Sequence, residues 1–343
     1  MLITKKTWVE PATAGAATIG EADSSSRFGW EAIQGFAIRH SMVVIMLMIV
    51  GFFLYRSARF GTPENVVTIL IAAAPFALIA LGQTLVILTG GIDLSVGSVI
   101  AASAMAAAFT AKANPENLVL PIAVAIIVGF VVGSINGLIV SQLNVPPFIA
   151  TLGMLTLASG FAYVIGDGAP INGLPDSFGA IANSEILGLK IPVALMIVCI
   201  IGFAIMMKRT VYGMRVYAVG GNRLAAEIAG VKSKRILYSV YAISGTLAGI
   251  SGLMLASRVI SGSPNLGQGY ELDAIAAVII GGASLMGGRG TIWGTAIGLL
   301  LIQTLNNGLD LLFVPAYWQD VIKGVLIVLA VSIDVWASKR RAH

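Results

Sequence analysis

Charged side chains make up only 11% of this 343-residue chain, less than half of the roughly 25% usual in soluble domains. A chain this poor in charge and 57% hydrophobic cannot clothe a water-facing surface, which excludes an ordinary soluble globular protein. Cysteine occurs once, at Cys199 inside an apolar run, so an intrachain disulfide and a thiolate metal cluster are both excluded. Histidine occurs twice, at His40 and His343, which leaves no cluster for a catalytic metal and no Cys–His pair for a nucleophile. The phosphate-loop pattern GxxxxGK[ST] is missing, and with it the lysine such a nucleotide site needs. No catalytic residue, metal site or cofactor site is therefore expected within the chain. Residues 1–35 mix charge, Ser, Gly and Ala without an apolar run that could form a signal-peptide core, and the expected reading is a mobile cytoplasmic tail.

What the chain has instead is long apolar runs. A bilayer core takes about 20 apolar residues per helix, fewer where a helix is broken or re-entrant. Ten candidates follow: 36–55, 66–88, 94–111, 118–140, 148–165, 191–207, 236–256, 272–286, 291–305 and 321–336. The formal charge of +5 sits in short loops and flanks, as orientation by positive charge requires, so it does not point to nucleic acid. The densest basic stretch is 208–235, with seven of the 21 Lys and Arg residues against the single acid Glu227. A loop of this length keeps positive charge on the cytoplasmic side. Parity then places both termini there, and four basic residues before position 40, seven in the loop and three at 339–341 share that side. Arg56 and Arg59, just beyond the outer end of the first run, break the trend. The expected fold is an all-α integral membrane protein of about ten transmembrane helices with Gly-broken or re-entrant segments and both termini cytoplasmic. Its single transmembrane domain runs over 36–338, followed by a basic tail at 339–343. Segments 272–286 and 291–305 are short for full crossings, and a re-entrant hairpin there would leave the parity unchanged.

Gly129, Gly133 and Gly137 repeat every fourth residue, as do Gly245 with Gly249 and Gly294 with Gly298. Such faces let helix backbones approach closely and are read as packing rather than chemistry. Trp293, Trp318 and Trp336 fall near segment ends, where interfacial anchors belong. Two Gly-rich breaks are more informative: LTGGIDLSVGS at 88–98, containing Gly90, Gly91, Asp93 and Ser95, and GGASLMGGRGTIWG at 281–294. A break at membrane depth exposes backbone donors and acceptors to a polar solute. A tight turn at the cytoplasmic surface explains the same residues equally well. Asp93 is either an intramembrane functional carboxylate or a helix cap competing with Ser95.

Within the basic loop, Asn222 is a good N-cap, Arg223 to Ala229 is a helix candidate, and Gly230 suits the position after the helix end. Leu224, Ile228 and Val231 fall at i, i+4 and i+7 and give this short helix an apolar stripe. An isolated helix of this length is unstable in water, so it must dock on a partner protein or lie on lipid headgroups.

Four runs, GQTLVILTGGIDLSVGSVIA (82–101), YAVGGNRLAAEIAGV (217–231), GYELDAIAAVIIGGASLMGGRGTIWGTAIG (269–298) and LNNGLDLL (305–312), resemble those of ribose-type monosaccharide permeases within the branched-chain amino acid and sugar permease superfamily. The similarity covers about 60–336. It implies the membrane subunit of a bacterial ABC importer in the inner membrane. The implied partners are a second permease subunit, identical or paralogous, an ATPase that binds ATP in the cytoplasm, a periplasmic sugar-binding protein and the surrounding lipid. The general coupling motif of such importers reads Glu-Ala-Ala, three residues, then Gly. Ala225, Ala226 and Gly230 match it, Leu224 stands in place of the Glu, and the coupling set is Asn222, Arg223, Leu224, Ala225, Ala226, Ile228 and Gly230. Importer binding proteins often present acids to permease arginines, which makes Arg56, Arg59 and Arg258 candidate docking residues. For the substrate path the candidates are Gly90, Gly91, Asp93 and Ser95 with Asn306 and Asn307, whose amides offer donors and acceptors to a polyol. The alternative for the two asparagines is a helix end. A permease for branched-chain amino acids or nucleosides would share this architecture. A secondary transporter would want intramembrane charges, of which the candidates are Asp93, Asp273, Lys323 and Asp334.

Overall fold

The computed structural model describes residues 41–341 of the chain. The expected tail at 1–35 and the start of the first crossing lie outside the described residues, as do the side chains of Trp336, Asp334 and the basic tail. The elements in order are α1 (Ser41–Arg56), α2 (Pro63–Leu88), α3 (Val96–Ala113), α4 (Val119–Ser141), α5 (Pro147–Ile165), α6 (Asp176–Asn183), β1 (Glu185–Ile186), β2 (Leu189–Lys190), α7 (Ile191–Arg209), α8 (Val211–Gly221), α9 (Arg223–Ile228), α10 (Ser233–Val259), α11 (Tyr270–Ile280), α12 (Ile292–Leu311) and α13 (Ala316–Arg341). The two strands form one antiparallel hairpin, Glu185 opposite Lys190. Among the described residues, six helices, α2, α3, α4, α5, α7 and α10, are long and apolar enough to cross a membrane.

The bundle is layered by burial. The apolar stretch of α10 is 78% buried and that of α7 only 22%, so α10 is a central pillar and α7 a peripheral one. What lets α10 sit in the centre is the pair of glycine faces. Gly129 and Gly133 of α4 press on Gly245 and Gly249 of α10, and a Cβ on Gly249 would lie 3.1 Å from the Gly129 Cα. Gly137 continues the contact onto Tyr238. Two backbones this close gain dispersion contacts along their length that larger side chains would forbid. Gly294 and Gly298 work the same way, seating α12 against the Gly281 and Ala277 carbonyls at the end of α11.

One end of the bundle carries the 208–235 stretch and is called the basic end here. The Gly281–Thr291 connection reaches it as well: the Gly288 N–H donates to the Leu88 carbonyl at 2.9 Å, and Gly288 packs on Gly221. The Gly-rich break at 281–294 is therefore a surface turn at the basic end rather than a break at depth. At the opposite end Phe53, Phe60, Ile69, Leu305 and Leu309 form a separate cluster. Beside α10 at that end, α6 buries Phe178, and the Ser257 hydroxyl donates to the Phe178 carbonyl at 2.7 Å.

Three expectations need correction. The eighth segment is not a helix over 272–286. It ends at Ile280, and its 11 residues span about 16 Å, half of a bilayer core. The ninth is a full helix of 20 residues to Leu311, so Asn306 and Asn307 lie inside it and do not close its end. The basic loop holds two helices rather than one: α8 precedes the expected short helix, capped by Thr210, whose side chain accepts from the Gly213 N–H. The first turn of α8 holds the apolar pair Val211 and Met214 on its exposed side, which blurred the periodicity.

Candidate functional site

The first break is partly at depth. α2 runs to the basic end, where the chain turns at Gly90 with φ of +79°, a conformation glycine adopts without strain. It then folds back into the bundle as an extended stretch before α3 begins at Val96. Asp93 is fully buried there. One carboxylate oxygen accepts from the Ser95 N–H at 3.0 Å and from its hydroxyl at 2.6 Å, and the other accepts from the Ser244 hydroxyl at 3.0 Å. Asn136 donates to the Ser95 hydroxyl at 2.9 Å, and the Gln83 amide, oriented to satisfy both groups, bridges the Asp93 backbone at 3.1 and 3.3 Å. These bonds tie the turn to α2, α4 and α10 at once. Gly91 belongs to the same lock, because a Cβ there would strike the Tyr241 hydroxyl.

The second break is one that sequence reasoning missed. After α10 ends at Val259 with Ile260 in the left-handed conformation, residues 260–269 do not stay at the opposite end. They dip inward until Gly267 rests on Ile100 and Gly97. Ile100 itself touches Gly252 of α10, and Asp93, four residues before Gly97, is held at Ser244. Gly97 and Gly267 therefore lie between the levels of Ser244 and Gly252, near the middle of the bundle. From there α11 starts and completes the passage to the basic end. Its N-cap Gly269 has φ of +83° and Gly267 +82°. The signal was in the sequence as SGSPNLGQG at 261–269, a polar Gly-Pro stretch preceding a segment too short to cross alone.

Around this second break lies a cavity of about 240 Å³ lined by Ser98 of α3, Ser159 and Tyr163 of α5, and Asn265, Gln268 and Glu271 of the dip and α11. The Tyr163 hydroxyl donates to the side-chain amide oxygen of Asn265 at 2.7 Å. Two residues after Glu271, in the same first turn, Asp273 of α11 is paired with Lys323 of α13 at 3.3 Å, and Lys323 also meets Asp320 at 2.9 Å. That pairing accounts for two of the intramembrane charges as a tether between helices.

At the basic end the short helix forms as the cap residues predict. The Asn222 side chain accepts from the Ala225 N–H at 2.9 Å, and Gly230 has φ of +85° just past the end. Arg223 and Glu227 form an ion pair at 3.1 Å along the helix. Ala226 is buried against the bundle and Val231 packs on the core, so the helix is anchored. Leu224 and Ile228 are 69% and 81% exposed and leave the other side of the stripe uncovered. Nearby, Thr89, Gly90, Gly91, Asn144 and Arg223 line a second cavity of about 250 Å³.

The remaining candidates are not gathered with these. The Asn307 and Asn65 amides exchange hydrogen bonds at 2.9 Å in both directions, in the cluster at the opposite end, while the buried oxygen of Asn306 has no hydrogen-bond partner among the described residues. Arg56, Arg59 and Arg258 lie at that end too, on α1, after it and in the last turn of α10.

Residues 65–331 match the family described as the permease component of branched-chain amino acid transport systems, and the chain belongs to that family. It is a multi-pass membrane protein. A ribose import permease protein, RbsC, of Bacillus subtilis is 42% identical over 279 residues, 80% of this chain and 86% of that protein. RbsC of Haemophilus influenzae is 38% identical over 90% of this chain and 97% of its own length. The D-allose transport system permease protein AlsC of Escherichia coli is 34% identical over 88% of this chain and 93% of its own. No solved structure matches.

Proposed function

We propose that the chain is the transmembrane subunit of a binding-protein-dependent ABC importer, carrying a monosaccharide or related polyol across a bacterial inner membrane by alternating access. The observation that carries this reading is the near full-length similarity to ribose and allose permeases. The capped helix at the basic end gives it a mechanism. The chain makes ten passes, the eighth being the dip plus α11, and both termini and the basic end face the cytoplasm. A second permease subunit completes the pore, and lipid surrounds it. ATP binds to a separate cytoplasmic ATPase. The chain is a transport component and not an enzyme, and it takes no part in nucleic-acid binding.

Asn222, Arg223, Leu224, Ala225, Ala226, Ile228 and Gly230 form the coupling element. Ala226 and Val231 fix it to the bundle, and Leu224 with Ile228 seats in a groove of the ATPase. ATP closes the ATPase dimer, and the motion reaches the membrane helices through this contact. Gly90 and Gly91 border the cytoplasmic mouth of the path. Asp93 and Ser95 hold the turn that shapes it, and Asn306 and Asn307 belong to its outer side. Arg56, Arg59 and Arg258 steer an acidic face of the binding protein into place, as exposed charges do. Charge reversal at all three removes stimulation of ATP hydrolysis by the binding protein, and unchanged stimulation would clear them of the role.

Uptake of labelled pentose, hexose and leucine by the reconstituted complex tests the substrate class. The sugars are taken up and leucine is not. Leucine uptake with no sugar uptake would replace this reading by the branched-chain amino acid one.

A further inference from the structure

We propose that the mid-depth cavity at the start of α11 is the transit chamber for an uncharged polyhydroxylated solute of monosaccharide size, with Glu271 and Gln268 as its principal hydrogen-bonding groups; the inference deepens the importer reading and rests on it. The chamber is placed halfway through the bundle by three close packings: Gly97 on Gly267, Gly267 on Ile100, and Ile100 on Gly252. Its walls come from three separate parts of the chain. Ser98 is in the first turn of α3, Ser159 and Tyr163 are successive turns on one face of α5, and residues 264–271 are the non-helical dip with the first two residues of α11.

The polarity of this wall is what needs explaining. Asn265 and Gln268 are exposed and Glu271 is half-buried, although all sit at the level where lipid tails would lie. A non-helical backbone and a carboxylate are tolerated at that depth only where protein or water covers them. The Asn265 amide oxygen already accepts from Tyr163, whereas among the described residues no cation pairs with Glu271. The Glu271 carboxylate is held by backbone hydrogen bonds from Gly269 and its own residue at the start of α11 and keeps acceptor capacity on its remaining lone pairs. A carboxylate without a cation accepts hydrogen bonds from hydroxyl groups and repels carboxylates and phosphates. Amide groups at Gln268 and Asn265 add donors and acceptors for the same hydroxyls. The volume of about 240 Å³ admits a small solute together with a few waters and lies below the range of drug-sized pockets. Gly97 keeps the chamber open on the α3 side, since a Cβ there would collide with the Glu271 carboxylate.

The test uses the full importer in proteoliposomes with Cys199→Ala, which removes the chain's one thiol. Ser159→Cys places a thiol in the chamber, and Leu157→Cys, two residues away at a 50% exposed position of α5 that does not line the chamber, is the control. A charged, water-soluble methanethiosulfonate reagent is expected to modify the Ser159→Cys variant roughly tenfold faster than the control, and the modification cuts pentose uptake by a similar factor. Glu271→Gln retains uptake, because an amide still bonds hydroxyls, whereas Glu271→Leu loses about tenfold while still co-purifying with the ATPase. Equal modification rates, or full uptake by the modified carrier, would overturn the chamber. Wild-type uptake by Glu271→Leu would overturn the role of Glu271. If the unmutated importer carries leucine and no sugar, the substrate reading and the polyol assignment fall together, and the contrast in modification rates still judges the chamber as a water-filled path.

Discussion

Gly245→Leu is expected to prevent the permease from assembling. The substituted side chain would enter a space already held by the Gly129 carbonyl and the Gly133 backbone, and backbone on backbone has nowhere to retreat. Overpacking a filled interior usually costs about 1–3 kcal/mol, and a clash with main chain belongs at the upper end of that range or beyond it. Because α10 also holds Asp93 through Ser244 and the Pro75 carbonyl through Ser251, forcing α4 away disturbs the lock around the first break. The variant should give little monodisperse protein in mild detergent, with a lower unfolding temperature in what remains. Gly202→Leu on the peripheral helix α7, where a Cβ would meet nothing within 4 Å, should be recovered like the unmutated protein. If Gly245→Leu were as stable as Gly202→Leu, the glycine faces would not be what positions α10.

The second large effect is expected at the coupling helix, and there it should appear in function alone. Leu224 and Ile228 are exposed in the isolated subunit, so Leu224→Asp and Ile228→Asp should alter its own stability by no more than about 0.5 kcal/mol. In the complex each apolar tip would sit at the centre of an interface, where losing an anchor costs about 2 kcal/mol or more. Affinity for the ATPase should then fall by roughly thirtyfold, with ATP-driven uptake lost or ATP hydrolysis uncoupled from it. The absence of an acidic residue at position 224 gives this contact its character: it rests on apolar burial, so it should be less sensitive to salt than an ion pair. Normal assembly and uptake in both variants would remove the helix from the coupling role.

The two cases show which features the sequence displays. Glycine faces and caps are local signals. Gly129 to Gly137, Asn222 and Gly230 each announce a geometry within one or two turns, and those geometries are found. Depth is not local. The stretch 281–294 and the stretch 260–269 are both Gly-rich, yet the first lies at a surface and the second in the middle of the bundle, because only tertiary contacts such as Gly288 with Leu88 or Gly267 with Ile100 set the level. Likewise Asp93 was conspicuous as a buried charge, but whether it faces a solute or a ring of hydroxyls depends on Ser244 and Asn136, far away in sequence. Glu271 gave no signal of its own, since its place in a cavity follows from the half-helix that carries it.

The central claim is that solute movement through this chain is driven by ATP used in another subunit. Sugar uptake into proteoliposomes holding the permease, its ATPase and the binding protein tests that claim most directly, with ATP on the ATPase side and no ion gradient. Uptake is expected to require ATP and binding protein together and to stop when the ATPase is omitted. Uptake by the permease alone, driven by a sodium or proton gradient without ATPase, would contradict it.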